Sequence, residues 1–100
     1  METQTIWGTV AEDGSIISGT GFSIMRQNEG NYLITFSLPF SGTPAIVGSQ
    51  TGMGFGGQVP LDGIVFPFLD SQSATAFTAD QHGVLKDRQF SFIVMGAVQG

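Results

Sequence analysis

The chain has no cysteine, which excludes disulfides, thiolate metal sites and a cysteine nucleophile and leaves stability to packing and association. Charge is also scarce. Asp, Glu, Lys and Arg together make up 11% of the 100 residues, against about 25% in an average soluble domain. The basic residues are Arg26, Lys86 and Arg88 alone, and the net charge is −5. Nucleic acid needs a patch of phosphate-neutralising side chains, so it is excluded as a partner, and anionic membrane surfaces are disfavoured for the same reason. No apolar run approaches the roughly 18 residues that cross a bilayer, so membrane insertion is not expected. The opening Met-Glu-Thr-Gln lacks the basic-then-apolar pattern of a signal peptide. One histidine, His82, rules out a histidine-rich metal cage, and no calcium loop of the D-x-[DN]-x-[DN]-G type occurs. No cofactor is expected.

What is present is a succession of short runs rich in Ile, Val, Phe and Thr, separated by turn signals. That is the pattern of an all-β sandwich or small barrel, and no stretch carries a sustained helical stripe. The length suits a single domain spanning residues 1–100. The expected first pair of strands runs from Gln4 to Ala11 and from Ser15 to Gln27, joined across Asp13-Gly14, where glycine permits a tight hairpin. A turn at Asn28 to Asn31 follows. Tyr32, Ile34, Phe36 and Leu38 then alternate with Leu33, Thr35 and Ser37, so that strand has a core face, with Leu33 as the apolar exception outside. Further strands are expected over Pro44–Gln50, Gly63–Asp70 and Ser73–Ala79, with Pro67 confining the second of these to an edge or a bulge.

The final segment, Arg88 to Val98, is apolar on both faces. Phe90, Phe92, Val94 and Val98 line one side, and Ile93, Met95 and Ala97 line the other. A strand covered on one face only would not be built this way. With so little charge to desolvate, the second face suits contact with another copy of the chain. The expected oligomer interface comprises Trp7, Leu33, Ile93, Met95 and Ala97.

Catalytic motifs are weak by comparison. Gly52-Met-Gly-Phe-Gly-Gly57 matches the dinucleotide fingerprint G-x-G-x-x-G, but that motif works only where the glycines lead into a helix whose N-terminus holds the pyrophosphate. Here Pro60 and Asp62-Gly63 follow within six residues and preclude the helix, so a mobile β-connection free of nucleotide is expected. No serine stands in a nucleophile-elbow context. Asp62, Asp70, Asp80 and Asp87 could in principle pair for glycoside hydrolysis, yet each sits at a turn, where aspartate commonly caps backbone amides. The chain is therefore expected not to be an enzyme. Its densest cluster of mixed polar chemistry is the loop carrying Asp80, Gln81, His82, Lys86, Asp87 and Arg88. Those six residues are the expected ligand-binding set, with carboxylates and amides suited to sugar hydroxyls and the cations to an acidic group.

Taken together, Trp7-Gly-Thr-Val-Ala-Glu-Asp-Gly-Ser-Ile-Ile-Ser-Gly-Thr-Gly-Phe22, Gly30-Asn-Tyr-Leu-Ile-Thr-Phe-Ser-Leu-Pro-Phe40, Thr43-Pro-Ala-Ile-Val47 and Phe90-Ser-Phe-Ile-Val-Met-Gly96 resemble the C-terminal β-sandwich head modules of bacterial and phage collagen-like or tail-fibre proteins. The middle element is also similar to H-type lectins and, more distantly, to C1q-like trimeric heads. The resemblance implies an antiparallel, jelly-roll-like sandwich that forms a homotrimer and serves as a non-enzymatic receptor-recognition head. Its setting would be extracellular, on a cell surface or on a virion. The alternative it implies is a carbohydrate-binding lectin of H-type-like fold whose partner is a cell-surface glycan.

Overall fold

The computed structural model describes residues 2–52 and 57–98. Eight strands are found among them: β1 (Glu2–Val10), β2 (Ile16–Gly19), β3 (Phe22–Asn28), β4 (Asn31–Phe36), β5 (Ala45–Gln50), β6 (Gly63–Leu69), β7 (Ser73–Ala79) and β8 (Phe90–Val98). They form two four-stranded antiparallel sheets, ordered β2-β1-β8-β5 and β3-β4-β7-β6. The all-β, two-layer architecture expected from the sequence is what the chain adopts.

The two layers share one core, supplied by alternate residues of each inner strand. Ile6 and Val10 of β1, Tyr32, Ile34 and Phe36 of β4, Ala74 and Ala76 of β7 and Phe90, Phe92 and Val94 of β8 are all buried. The aromatic rings interlock across the layers. Phe22 meets Phe92 edge-on at 4.9 Å between ring centres, and Tyr32 lies 5.2 Å from Phe90. Such geometries set the positive edge of one ring against the negative face of the next.

The space for these rings is left by glycines. In the pairing of β1, β8 and β5, Phe92 is flanked by Gly8 on one side and Gly48 on the other. A β-carbon on Gly8 would stand 2.2 Å from Phe22 Cζ, and one on Gly48 would stand 2.7 Å from Phe66 Cζ. Rings from the second sheet thus fill the two gaps beside Phe92.

Two expectations are corrected. The strand expected over Ser15–Gln27 is divided into β2, which pairs with β1, and β3, which pairs with β4 in the other sheet. The break falls at Gly19-Thr20-Gly21, where both glycines have positive φ, 98° and 92°. Two such conformations in three residues turn the chain from one layer into the other, a corner that side-chain-bearing residues resist. Leu38, expected on the core face, is exposed. The strand ends at Phe36, and Phe40 takes the core position instead, perpendicular to Phe36 at 5.2 Å.

Other expectations hold. Gly14 makes the first hairpin turn with φ of 93°. The strand containing Pro67 lies at a sheet edge, and its register slips between Val65 and Phe68, as the missing proline N–H requires.

Candidate functional site

Two surfaces stand out. The first is the outer face of the sheet β2-β1-β8-β5. Strand pairing aligns Trp7, Ile93 and Val47 in one row across β1, β8 and β5, with Met95 in the adjoining row between Thr5 and Ala45. Their exposures are 55% for Trp7, 50% for Ile93, 66% for Val47 and 49% for Met95. Four large apolar side chains on one face, each half open to water, form a contiguous patch rather than scattered surface residues, the kind of surface on which interaction sites are found.

On the other side of the Trp7 row lies a row of small hydroxyl residues, Thr9, Ser91 and Ser49. The step down from indole to hydroxyl makes a shallow groove of about 490 Å³, floored by Ser91 and walled by Trp7, Ile93 and Val47. Thr9 Oγ1 and Ser91 Oγ lie 2.8 Å apart in mutual hydrogen-bonding contact. One of these hydroxyls donates to the other, which leaves acceptor lone pairs on the floor of a groove that is otherwise mainly apolar.

Of the expected interface residues, Trp7, Ile93, Met95 and Ala97 all lie on this face. Leu33 does not. It sits on the outer side of the opposite sheet, between Met25 and Thr75. Val47 belongs with the patch and was missed from sequence, because β5 is short and its alternation of Ile46 and Val47 does not say which faces out.

The second surface is the segment between β7 and β8, which is a small hairpin rather than an open loop. Ala79 and Leu85 form an isolated bridge, Asp80 N–H donates to Val84 O at 2.9 Å, and Gly83 N–H donates to Asp80 O at 3.0 Å. Asp80 Oδ1 accepts from His82 N–H at 2.8 Å and Val84 N–H at 3.1 Å. The His82 amide is the main cause holding the Asp80 carboxyl below the usual carboxylate range. Thr78 Oγ1 clamps the base by donating to Lys86 O at 2.6 Å.

Asp87 anchors the hairpin to the β3–β4 turn. Its Oδ1 accepts from Gly30 N–H at 2.7 Å, and its Oδ2 accepts from Arg26 Nε at 2.8 Å. Burial works to raise its carboxyl, but the Gly30 amide and the Arg26 guanidinium together outweigh this and hold it below the usual range. Tyr32 completes the network, donating its hydroxyl to Glu12 O at 2.6 Å. Burial first, and then the Asp87 charge, push that phenol above its ordinary value.

Arg88 Nη1 reaches Asp62 Oδ2 at 2.8 Å, and Asp62 also accepts from Val59 N–H in the turn that precedes β6. The six expected ligand-binding residues therefore divide. Asp80, Asp87 and Arg88 have carboxylates or a guanidinium engaged within the chain, whereas Gln81, His82 and Lys86 are exposed on the hairpin. Those three polar side chains, with Val84 beside them, are open to solvent on the hairpin.

Most of the glycine-rich segment, residues 53–56, lies outside the described residues, and with it the match to the dinucleotide fingerprint. Beyond it, Asp62 N–H donates to Val59 O in a turn where a nucleotide-binding motif would need a helix. The remaining candidate acid, Asp70, caps the β6–β7 turn by accepting from Gln72 and Ser73 N–H at 2.8 and 2.9 Å. The Gln72 amide leads in lowering its carboxyl. The chain matches no protein-family model, no curated protein and no solved structure.

Proposed function

We propose that the protein is a non-enzymatic, self-associating recognition head. It associates through the outer face of the β2-β1-β8-β5 sheet and presents the β7–β8 hairpin, with Gln81, His82 and Lys86, to a receptor on a cell surface. The observation that carries this reading is the row Trp7–Ile93–Val47 with Met95 beside it, half exposed on a sheet that carries no charge at those positions. Covering apolar area of this kind is worth roughly 25 cal/mol for each Å² removed from water. A subunit contact supplies that cover without desolvating an ion.

The nesting of β1 against β8 and of β4 against β7 supports a jelly-roll-like sandwich. A homotrimer is the assembly implied by the resemblance to fibre heads, and an extracellular or virion surface is the setting. A non-enzymatic role is supported by the engagement of Asp62, Asp70, Asp80 and Asp87 with amide or guanidinium partners, since a carboxylate committed to structural donors is poorly placed to exchange a proton with substrate. Light scattering across micromolar concentrations tests the assembly, and a monomeric mass throughout would end this reading.

One observation favours a second reading, a glycan-binding lectin. Trp7 presents its indole beside the hydroxyls of Thr9 and Ser91 along an open groove, and an amphipathic ring beside hydrogen-bonding groups suits a pyranose. A glycan array with the parent and Trp7→Ala proteins separates the two. Under this reading the parent gives a saturable glycan signal that the variant loses.

A further inference from the structure

Each sheet ends in two edge strands, and an edge exposes a row of unpaired backbone groups that proteins normally protect with charge, proline, a bulge or brevity. Three of the four edges found among the described residues carry such protection. β2 is four residues long. β3 carries Arg26 and slips register between Arg26 and Asn28. β6 contains Pro67 and slips between Val65 and Phe68.

β5 has none of these devices. It is six residues long, Ala-Ile-Val-Gly-Ser-Gln, with no charge and no proline, and it runs in unbroken register against β8. Thr51 N–H points inward, donating to Gln89 O at 3.1 Å. In an antiparallel ladder successive residues alternate, so Val47 and Ser49 also face β8. The N–H and C=O groups of Ile46, Gly48 and Gln50 face outward. Strand β5 is also the least covered of the inner-sheet partners of β8, and both Val47 and Gly48 are exposed.

We propose that the β5 edge pairs antiparallel with the β5 edge of a second copy, joining the two β2-β1-β8-β5 sheets into one. This inference rests on the self-associating reading above and adds the geometry of one contact. Charge selects the occupant. Two copies of a chain with net charge −5 repel, and they meet most cheaply where neither brings a carboxylate. No charged residue lies between Phe40 and Thr51, whereas Glu29 adjoins β3 and Asp62 and Asp70 flank β6. A strand that pairs antiparallel with its own copy is self-complementary, as a two-fold contact requires. A two-fold axis near Gly48 satisfies the outward groups of Ile46, Gly48 and Gln50 with the same groups of the second copy. It also sets Val47 of each copy opposite Ser49 of the other, so that each Trp7–Ile93–Val47 row continues into the uncharged Ser49–Ser91–Thr9 row of the second copy.

The test combines mass with amide hydrogen exchange on the whole chain. The proposal expects an even number of subunits, six where the head is itself a trimer, and slow, concentration-dependent exchange at Ile46, Gly48 and Gln50 N–H, so that all six β5 amides are protected in the assembly. It also expects Val47→Lys, an exposed position whose core contacts are untouched, to dissociate the two-fold contact and restore fast exchange at those three amides, with Val47→Thr retaining it. An assembled protein whose Ile46 and Gly48 amides exchange freely, or a bare trimer, overturns the edge pairing and leaves the self-associating head standing. A monomer at all concentrations overturns both.

Discussion

Arg88 and Asp62 form a 2.8 Å ion pair that is nearly closed to solvent, with side-chain exposures of 16% and 4%. The pair ties the turn before β6 to the start of β8, and so links the two sheets at one end of the molecule. An arginine suited by composition to an acidic ligand is thereby committed to the fold. Arg88→Ala strands the Asp62 carboxylate, and losing one partner of a buried pair costs about 3 to 5 kcal/mol. The expected loss is at the lower end of that range, because the guanidinium keeps some contact with water. A denaturant midpoint unchanged in Arg88→Ala contradicts this assignment.

Ile93→Asp and Met95→Asp place a carboxylate in the middle of the apolar row without touching the core, since both side chains point away from it. Each variant is expected to keep its β-sheet circular dichroism and lose the self-association proposed for this face. Sedimentation at several concentrations reads this directly. A variant that assembles like the parent shows that this face stays in water.

At the hairpin, Gln81→Ala, His82→Ala and Lys86→Ala are expected to leave stability within about 0.5 kcal/mol of the parent, as surface changes usually do. Asp87→Ala removes the acceptor for Gly30 N–H and the partner of Arg26, and stranding such donors costs about 1 to 3 kcal/mol. Thermal melts of the four proteins separate presentation from anchoring. If the protein binds a receptor through this hairpin, the first three substitutions weaken that binding.

Stability depends on pH through groups shifted in opposite directions. Asp87, Asp80, Asp70 and Asp13 all have carboxyls lowered in the folded chain. Their contribution is therefore present above the unfolded carboxylate value of about 3.9 and is lost as pH falls through the lower folded values. Tyr32 is raised, so its contribution is complete below the unfolded phenol value of about 10 and disappears as pH rises further. The melting temperature is expected to be level between these limits and to fall beyond both. Asp87→Asn should flatten the acid limb and Tyr32→Phe the alkaline one. An acid limb of unchanged steepness in Asp87→Asn removes that carboxylate from the explanation.

Gly8→Ala tests the packing beside Phe92. The added methyl would meet Phe22 Cζ at 2.2 Å, and Phe22 is held edge-on against Phe92. Overpacking of this kind costs about 1 to 3 kcal/mol. Gly42→Ala, where nothing lies within 4 Å of the added carbon, is the control and should melt with the parent.

Local pattern along the chain suffices for the class of fold. Period-two alternation in Tyr32 to Phe36 and in Phe90 to Val94, interrupted by glycine and aspartate turns, admits few solutions other than antiparallel sheets with one buried face. It also confined Pro67 to an edge or a bulge, and it showed β8 to be apolar on both sides, because each of these is a property of consecutive residues.

What it left open depends on residues far apart in the chain. Whether Ser15–Gln27 is one strand or two was decided by Gly19 and Gly21 taking positive φ at a corner, and many glycines in the chain could have done so. Whether Leu33 joins Trp7 or faces the opposite way was decided by which sheet each strand enters, and pairing partners up to 96 residues apart, Glu2 with Val98, are invisible to local periodicity. The roles of Asp87 and Arg88 were decided in the same way. A carboxylate or guanidinium in a polar loop has the same local pattern whether it awaits a ligand or meets Gly30, Arg26 or Asp62. Only the closing of the two layers brings those partners within hydrogen-bonding distance and turns three of six candidate binders into anchors.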